Sequence, residues 1–209
     1  MKIIAHRGWA KGKDENTIVS FEKSYKNGND GVEFDVRWSH DCKTPVVSHD
    51  PSSSNEVLTL KKALEFLKDK GLELFLELKE YDDELFDKVK ALVEAHELKT
   101  DTIIFGFPKI ARRFPFHKKD GFKLGMIIHP WSIRKDILRF NPDFVFMGYT
   151  SFLSKVAFGL YWRIFPVSQL IAKYPNINFV IGVVESKKEA GWLLALDGLY
   201  SLTVEEPFI

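Results

Sequence analysis

A lone cysteine, Cys42, excludes an internal disulfide, so burial and hydrogen bonding must hold the fold. No uninterrupted run of about 18 apolar residues occurs, which argues against a membrane-spanning helix. Charge of one sign is also missing: the net value is +1, so no global field points to nucleic acid or to an acidic surface. The opening Met1-Lys2-Ile3-Ile4-Ala5-His6 is too short for the apolar core of a signal peptide, and a cytoplasmic protein is the expectation. Low-complexity tracts, long linkers and close internal repeats are absent as well. What remains is 209 residues, 45% hydrophobic, enough for one domain over residues 1–209 with a substantial core.

The chain alternates. Short runs rich in Ile, Val and Phe at 2–6, 31–37, 72–79, 102–107, 122–128, 143–148, 178–184 and 199–204 read as strands. Segments at 16–26, 58–70, 82–96, 109–118, 131–140, 151–174 and 186–196 read as helices. Leu60, Ala63, Leu64 and Leu67 form one apolar stripe in the second of these. Ser186, Asp82 and Ser132 are placed as N-terminal caps. Eight strands interleaved with helices predict an α/β fold, a (β/α)8 TIM barrel, over the alternative of an open doubly wound sheet. The link 37–45 is too short for a crossover helix, so 44–48 is the return arm of a β-hairpin after strand two. The chain stops soon after the eighth strand, giving a truncated C-terminus whose wall the 151–174 segment or a partner subunit would cover.

In such barrels the working groups lie at the carboxyl ends of the strands. Strand one ends in His6-Arg7-Gly8; strand two carries Glu33 and Asp35 on one face; the hairpin delivers His49; Glu77 and Lys79 share a face at the end of strand three. Neighbouring carboxylates repel unless positive charge sits between them. Glu33, Asp35 and Glu77 are thus candidates to hold a hard divalent cation, Mg2+ or Ca2+. Arg7 and Lys79 suit a phosphate, one as a planar fork and one as a point charge. His6 and His49 suit general acid and base roles, because imidazole titrates near neutrality.

Five motifs occur in order: His6-Arg7-Gly8, Glu15-Asn16-Thr17, Glu33-Phe34-Asp35-Val36, Val46-Val47-Ser48-His49-Asp50-Pro51 and Glu77-Leu78-Lys79. This series resembles the signature of the glycerophosphodiester phosphodiesterase family from the N-terminus to about Lys79. The resemblance implies a TIM barrel with a hairpin after strand two and a divalent-metal phosphodiesterase. It implies His6 and His49 as the acid/base pair, Glu33, Asp35 and Glu77 as metal ligands, and Arg7 and Lys79 as phosphate contacts. The sequence departs from the family pattern where a small insertion usually follows the hairpin. It departs also at Asp14, which stands for a Pro, at Gly182-Val183-Val184-Glu185, and at Val204-Glu205-Glu206-Pro207. These departures are expected to touch the substrate side and rim rather than the metal and histidine set, with a more open mouth. The expected reaction is hydrolysis of a glycerophosphodiester to an alcohol and glycerol 3-phosphate, by water or through a cyclic phosphate.

Two other readings stand beside it. One is a lysophospholipid phosphodiesterase at a membrane surface, suggested by the aromatic stretch Phe152, Phe158, Tyr161, Trp162 and Phe165. That stretch reads first as a helix packed on the barrel wall. The other is a catalytically silent barrel that binds a phosphorylated ligand. The expected partner is a small-molecule phosphodiester or lysolipid, with peripheral membrane contact as an option and no nucleic acid. Glu15-Asn16 reads equally as the start of helix one or as a rim element. His129, at a strand end before Pro130, could reach the site but reads first as a satisfied structural histidine, and His40, His96 and His117 are expected to be surface residues.

Overall fold

A computed structural model of the chain describes residues 1–9, 12–54, 56–129, 131–148, 152–164 and 166–205. Its strands are β1 (Lys2–Ala5), β2 (Gly31–Trp38), β3 (Pro45–Val47), β4 (Glu73–Leu78), β5 (Thr102–Gly106), β6 (Lys123–Ile127), β7 (Phe144–Met147), β8 (Asn178–Val184) and β9 (Ser201–Val204). The order around the sheet is β1-β9-β8-β7-β6-β5-β4-β2, and β1 also pairs with β2, so eight parallel strands close into a (β/α)8 barrel. β3 is the exception. It runs antiparallel to β2, with Val36 opposite Val47 and Trp38 opposite Pro45, as the short link requires.

The helices are α1 (Ile18–Lys26), α2 (Leu60–Leu67), α3 (Asp83–Ala95), α4 (Pro108–Ala111), α5 (Ile133–Phe140), α6 (Phe152–Ile164), α7 (Val167–Lys173) and α8 (Lys187–Leu193). Helix α3 starts where Asp82 accepts a hydrogen bond from the Leu85 N–H, the cap expected there. Ser132 does not cap α5; its hydroxyl donates to the His129 carbonyl. The 109–118 segment is not one helix but α4 followed by a 3-10 turn, Phe114–Asp120. The 151–174 segment is two helices, since Pro166 precedes Val167 and cannot donate within a continuous helix. Ser151 and Phe165 of that segment, and residues 206–209 of the closing motif, lie outside the described residues.

Strand alternation sorts the side chains into two cores. Val32, Phe34 and Val36 of β2 and Leu74, Leu76 and Leu78 of β4 face outward to the helices and join the larger cluster. Ile4, Phe75, Ile103, Phe105, Phe144, Phe146 and Val180 fill the barrel interior. There Phe105 stacks on Phe146, with centroids 3.9 Å apart, and Phe75 meets Phe146 edge-on at 5.8 Å. At the amino ends of the strands, Lys2 and Tyr200 both donate to Glu73 Oε1 at 2.6 Å. Because β2 and β4 keep the same parity up the barrel, Asp35 and Glu77 are register partners at the opposite, carboxyl end.

Candidate active site

The chain turns sharply at the end of β1. Arg7, Gly8 and Trp9 all have positive φ, at 47°, 81° and 68°. A Cβ at Gly8 would also lie 2.4 Å from the Ser20 hydroxyl of α1, so both conformation and space call for glycine. The turn aims the Arg7 N–H at Glu33 Oε2, 3.1 Å away. It also brings the Arg7 guanidinium between Asp35 (Nε–Oδ2 3.1 Å) and Glu15 (Nη1–Oε2 2.6 Å).

Glu33, Asp35 and Glu77 come together: one oxygen from each lies within 4.8 Å of the others, and all three residues are buried. Lys79 Nζ bridges two of them, 3.0 Å from Asp35 and 2.8 Å from Glu77. Asn16, buried and at φ 58°, donates to Asp35 Oδ2 at 2.8 Å and accepts from the Asp35 N–H at 3.2 Å. Burial works against the Asp35 carboxylate. Lys79, Arg7 and the Asn16 hydrogen bond outweigh it and hold Asp35 below the usual carboxylate range. Glu33 goes the other way. Burial, then the Asp35 charge, push it up to about 8, and its Oε1 is buried without a hydrogen-bond partner. Burial likewise raises Glu77 against the pull of Lys79. An ionised Asp35 beside two buried acids that burial holds back from ionising, one with an unsatisfied oxygen, fits a hard divalent cation, which would supply the missing positive charge.

His6 closes the same cluster. Its Nδ1 lies 2.6 Å from Glu205 Oε1 and its Nε2 3.8 Å from Glu33 Oε2. A carboxylate accepts only, so Nδ1–H donates to Glu205 and Nε2 faces the acids. Burial lowers the basicity of His6, but Glu33 and Glu205 overcome it and hold its pKa above the ordinary imidazole value. This corrects the expectation that the closing motif touches only the rim, because Glu205 orients a histidine of the site itself. His49 stands on the loop after β3, with Nδ1 2.9 Å from Asp50 Oδ1. Its placement follows from the hairpin: the Ser48 N–H donates to the Asp35 carbonyl and pins the loop over β2.

A cavity of about 370 Å³ opens between these groups. His6, Arg7, Glu33, His49, Glu77 and Lys79 line one side. Asp35 lies behind them at 0% exposure, supporting the wall rather than forming its surface. The other side is apolar: Phe105, Phe107, Ile127, Phe146 and Met147. Gly148 and Gly182 also line the cavity, and a Cβ on Gly148 would collide with the Gly182 carbonyl, so β8 runs close against the residue after β7 there. His129 is corrected as well. It is exposed, lines the cavity and stacks on Trp131 with centroids 4.8 Å apart. His96 is half-buried, with Nδ1 2.7 Å from the Leu92 carbonyl, rather than a free surface residue.

Six of the seven residues singled out from the sequence line this cavity and Asp35 lies behind them; Glu205 and the apolar wall were not singled out. The inward parity of Phe105 and Phe146 near the ends of their strands is the signal that would have found the wall. Asn16 proves to be a clamp on Asp35, whereas Thr17 caps α1.

Residues 6–145 match the model of the glycerophosphoryl diester phosphodiesterase family. A glycerophosphodiester phosphodiesterase of Bacillus altitudinis is 43% identical over 49 residues, 23% of this chain and 20% of the relative. One from Caldanaerobacter subterraneus is 46% identical over 48 residues, 23% and 19% of the two chains. The aligned segment therefore spans about a fifth of the length of these relatives. The fold agrees over nearly the whole chain. An Oleispira antarctica phosphodiesterase, solved in complex with the product sn-glycerol-3-phosphate, superposes with a TM-score of 0.77 at 18% identity, covering 99% of this chain and 94% of that one. A glycerophosphodiester phosphodiesterase of Agrobacterium tumefaciens gives 0.74 at 18% identity, covering 99% and 96%.

Proposed function

The chain belongs to the glycerophosphoryl diester phosphodiesterase family, and from that premise we propose that it hydrolyses a glycerophosphodiester to an alcohol and glycerol 3-phosphate in a metal-dependent reaction. The observation that carries the reading is the meeting of Glu33, Asp35 and Glu77 within 4.8 Å, on a cavity that His6 and His49 also line. The cavity volume of about 370 Å³ is in the range of small-molecule sites, and glycerol 3-phosphate is the product bound by the Oleispira enzyme.

Glu33, Asp35 and Glu77 would hold Mg2+ or Ca2+. When bound, such an ion stabilises the charge that develops on the phosphate oxygens. Arg7 and Lys79 sit on the same carboxylates and bring their positive charge beside the phosphate. His6 and His49 act as the acid/base pair. One imidazole takes the proton of the attacking hydroxyl, from water or from the glycerol moiety; in the second case a cyclic phosphate forms first and water then opens it to glycerol 3-phosphate. The other donates a proton to the departing alkoxide as its bond to phosphorus breaks. Glu205 and Asp50, each bonded to an Nδ1, leave the Nε2 atoms to do this. The comparisons favour neither the lysophospholipid reading nor the silent binding barrel.

The test is turnover of a panel of glycerophosphodiesters and lysolipids with Mg2+ or Ca2+, reading free alcohol and glycerol 3-phosphate. EDTA should abolish product formation and added metal restore it. Full activity in EDTA would refute the metal dependence, and no turnover on any member of the panel would refute the reaction.

A further inference from the structure

Among the described residues, nine large apolar side chains stand well out into solvent, and five of them fall between 131 and 164: Trp131, Leu138, Val156, Leu160 and Ile164. Three are on α6, where Val156, Leu160 and Ile164 are 46%, 55% and 70% exposed. Their spacing of four places them in one stripe along the helix. The inward side of α6 is already occupied: Phe158 is buried and Trp162 packs against the core, with their rings 5.1 Å apart. A wall helix needs one apolar face, and α6 has two. Leu138, 71% exposed, is on α5, the neighbouring crossover helix between β6 and β7.

Charge distinguishes the possible occupants of this face. Residues 144–184 contain no Asp or Glu, while they include Lys155, Arg163 and Lys173; Lys155 is paired with Glu185 at 2.9 Å, so the excess of positive charge rests on the other basic residues of the region. Residues 131–174 hold six Lys or Arg against two Asp, in a chain whose net charge is only +1. A second copy of this face would bring like charge against like. An anionic bilayer complements both features, since it attracts the basic side chains and accepts the apolar stripe into its interface. Tyr161 and Trp162, both half-exposed, are amphipathic rings of the kind that settle at headgroup depth. No helix among the described residues is long and apolar enough to cross a membrane. We propose that the outer face of α6, with Val156, Leu160 and Ile164, docks the protein peripherally on an anionic lipid surface. The inference stands on surface composition and not on the identity of the substrate.

The experiment is co-sedimentation of the full chain with vesicles of phosphatidylcholine alone or with added phosphatidylglycerol, at low and high salt. The bound fraction on anionic vesicles should exceed that on neutral ones by about tenfold and collapse at high salt. Leu160→Glu, and separately the double variant Val156→Ser/Ile164→Ser, should each lower it by about tenfold while the thermal midpoint and turnover of a soluble phosphodiester stay unchanged. Failure to bind anionic vesicles overturns the proposal. So does binding that survives both variants, or a concentration-dependent dimer that the double variant abolishes, which would assign the face to a second copy.

Discussion

The wall of the cavity built from β1, β2, β4 and the β3 hairpin carries charge, while the wall from β5, β6 and β7 presents Phe105, Phe107, Ile127, Phe146 and Met147. The first comes from residues 6–79 and holds every motif; the second comes from residues 105–147 and holds none. The difference reflects what each wall does. Handling a phosphodiester demands particular atoms at particular places, so few residue types serve. An apolar wall asks only for volume and a lack of hydrogen-bonding groups, which many side chains meet. Under the proposed function the charged wall would carry the chemistry and the apolar wall would meet the alcohol.

The largest effect tests the charged wall. His6→Ala and His49→Ala should each lower kcat by about two to four orders of magnitude without loss of the folded circular dichroism spectrum. Turnover near the wild-type rate in either variant would remove that histidine from the chemistry. Asn16→Ala should cost about 1.5–3 kcal/mol in urea unfolding, because Asp35 loses a buried hydrogen bond to a charged group. An unchanged midpoint would mean that Arg7 and Lys79 suffice to hold Asp35.

A smaller effect follows from Glu33. With its folded pKa at about 8 and an ordinary carboxylate value near 4.5 when unfolded, the folded state holds a proton that the unfolded state has released between those values. Stability therefore falls as pH rises through that window. In EDTA the unfolding free energy should drop by on the order of 1–2 kcal/mol from pH 6 to 8. Glu33→Gln should flatten the slope, and a flat wild-type profile would contradict the protonated Glu33. The smallest effect probes the other wall. Phe107→Ala should raise KM by about threefold to tenfold with kcat little changed, since an apolar contact is shared by ground and transition states. A fall in kcat with constant KM would show that the apolar wall takes part in the chemistry, and the contrast between the two walls would fail.

The eight barrel strands were legible because each is a short Ile-, Val- and Phe-rich run bounded by turn residues, and the hairpin because 37–45 leaves no room for a helix. Four of the candidate site residues were legible because strand parity puts Glu33 with Asp35 and Glu77 with Lys79, and His6, Arg7 and His49 because they end a strand or follow the hairpin. Contacts between distant segments were not. Nothing local to Glu205 announces that it lies 2.6 Å from His6, a residue 199 positions away. His129 was misread because a lone histidine before Pro130 looks like any loop histidine, and its exposure depends on where α5 begins. The break at 112–113 and the separate start of α7 at Val167 were missed because apolar spacing runs through both segments while the helices do not.

The seam between β1 and β9 has a consequence for when the protein becomes competent. Ala5 sits beside Val204 across that seam, and His6 takes its orientation from the residue after Val204. A chain still emerging from the ribosome would already carry the acids, the cations and both imidazoles, yet one ring would lack its anchor and the cylinder would gape along one side. Ring closure and the anchoring of His6 are one event, and a growing chain gains neither until β9 and Glu205 have been made.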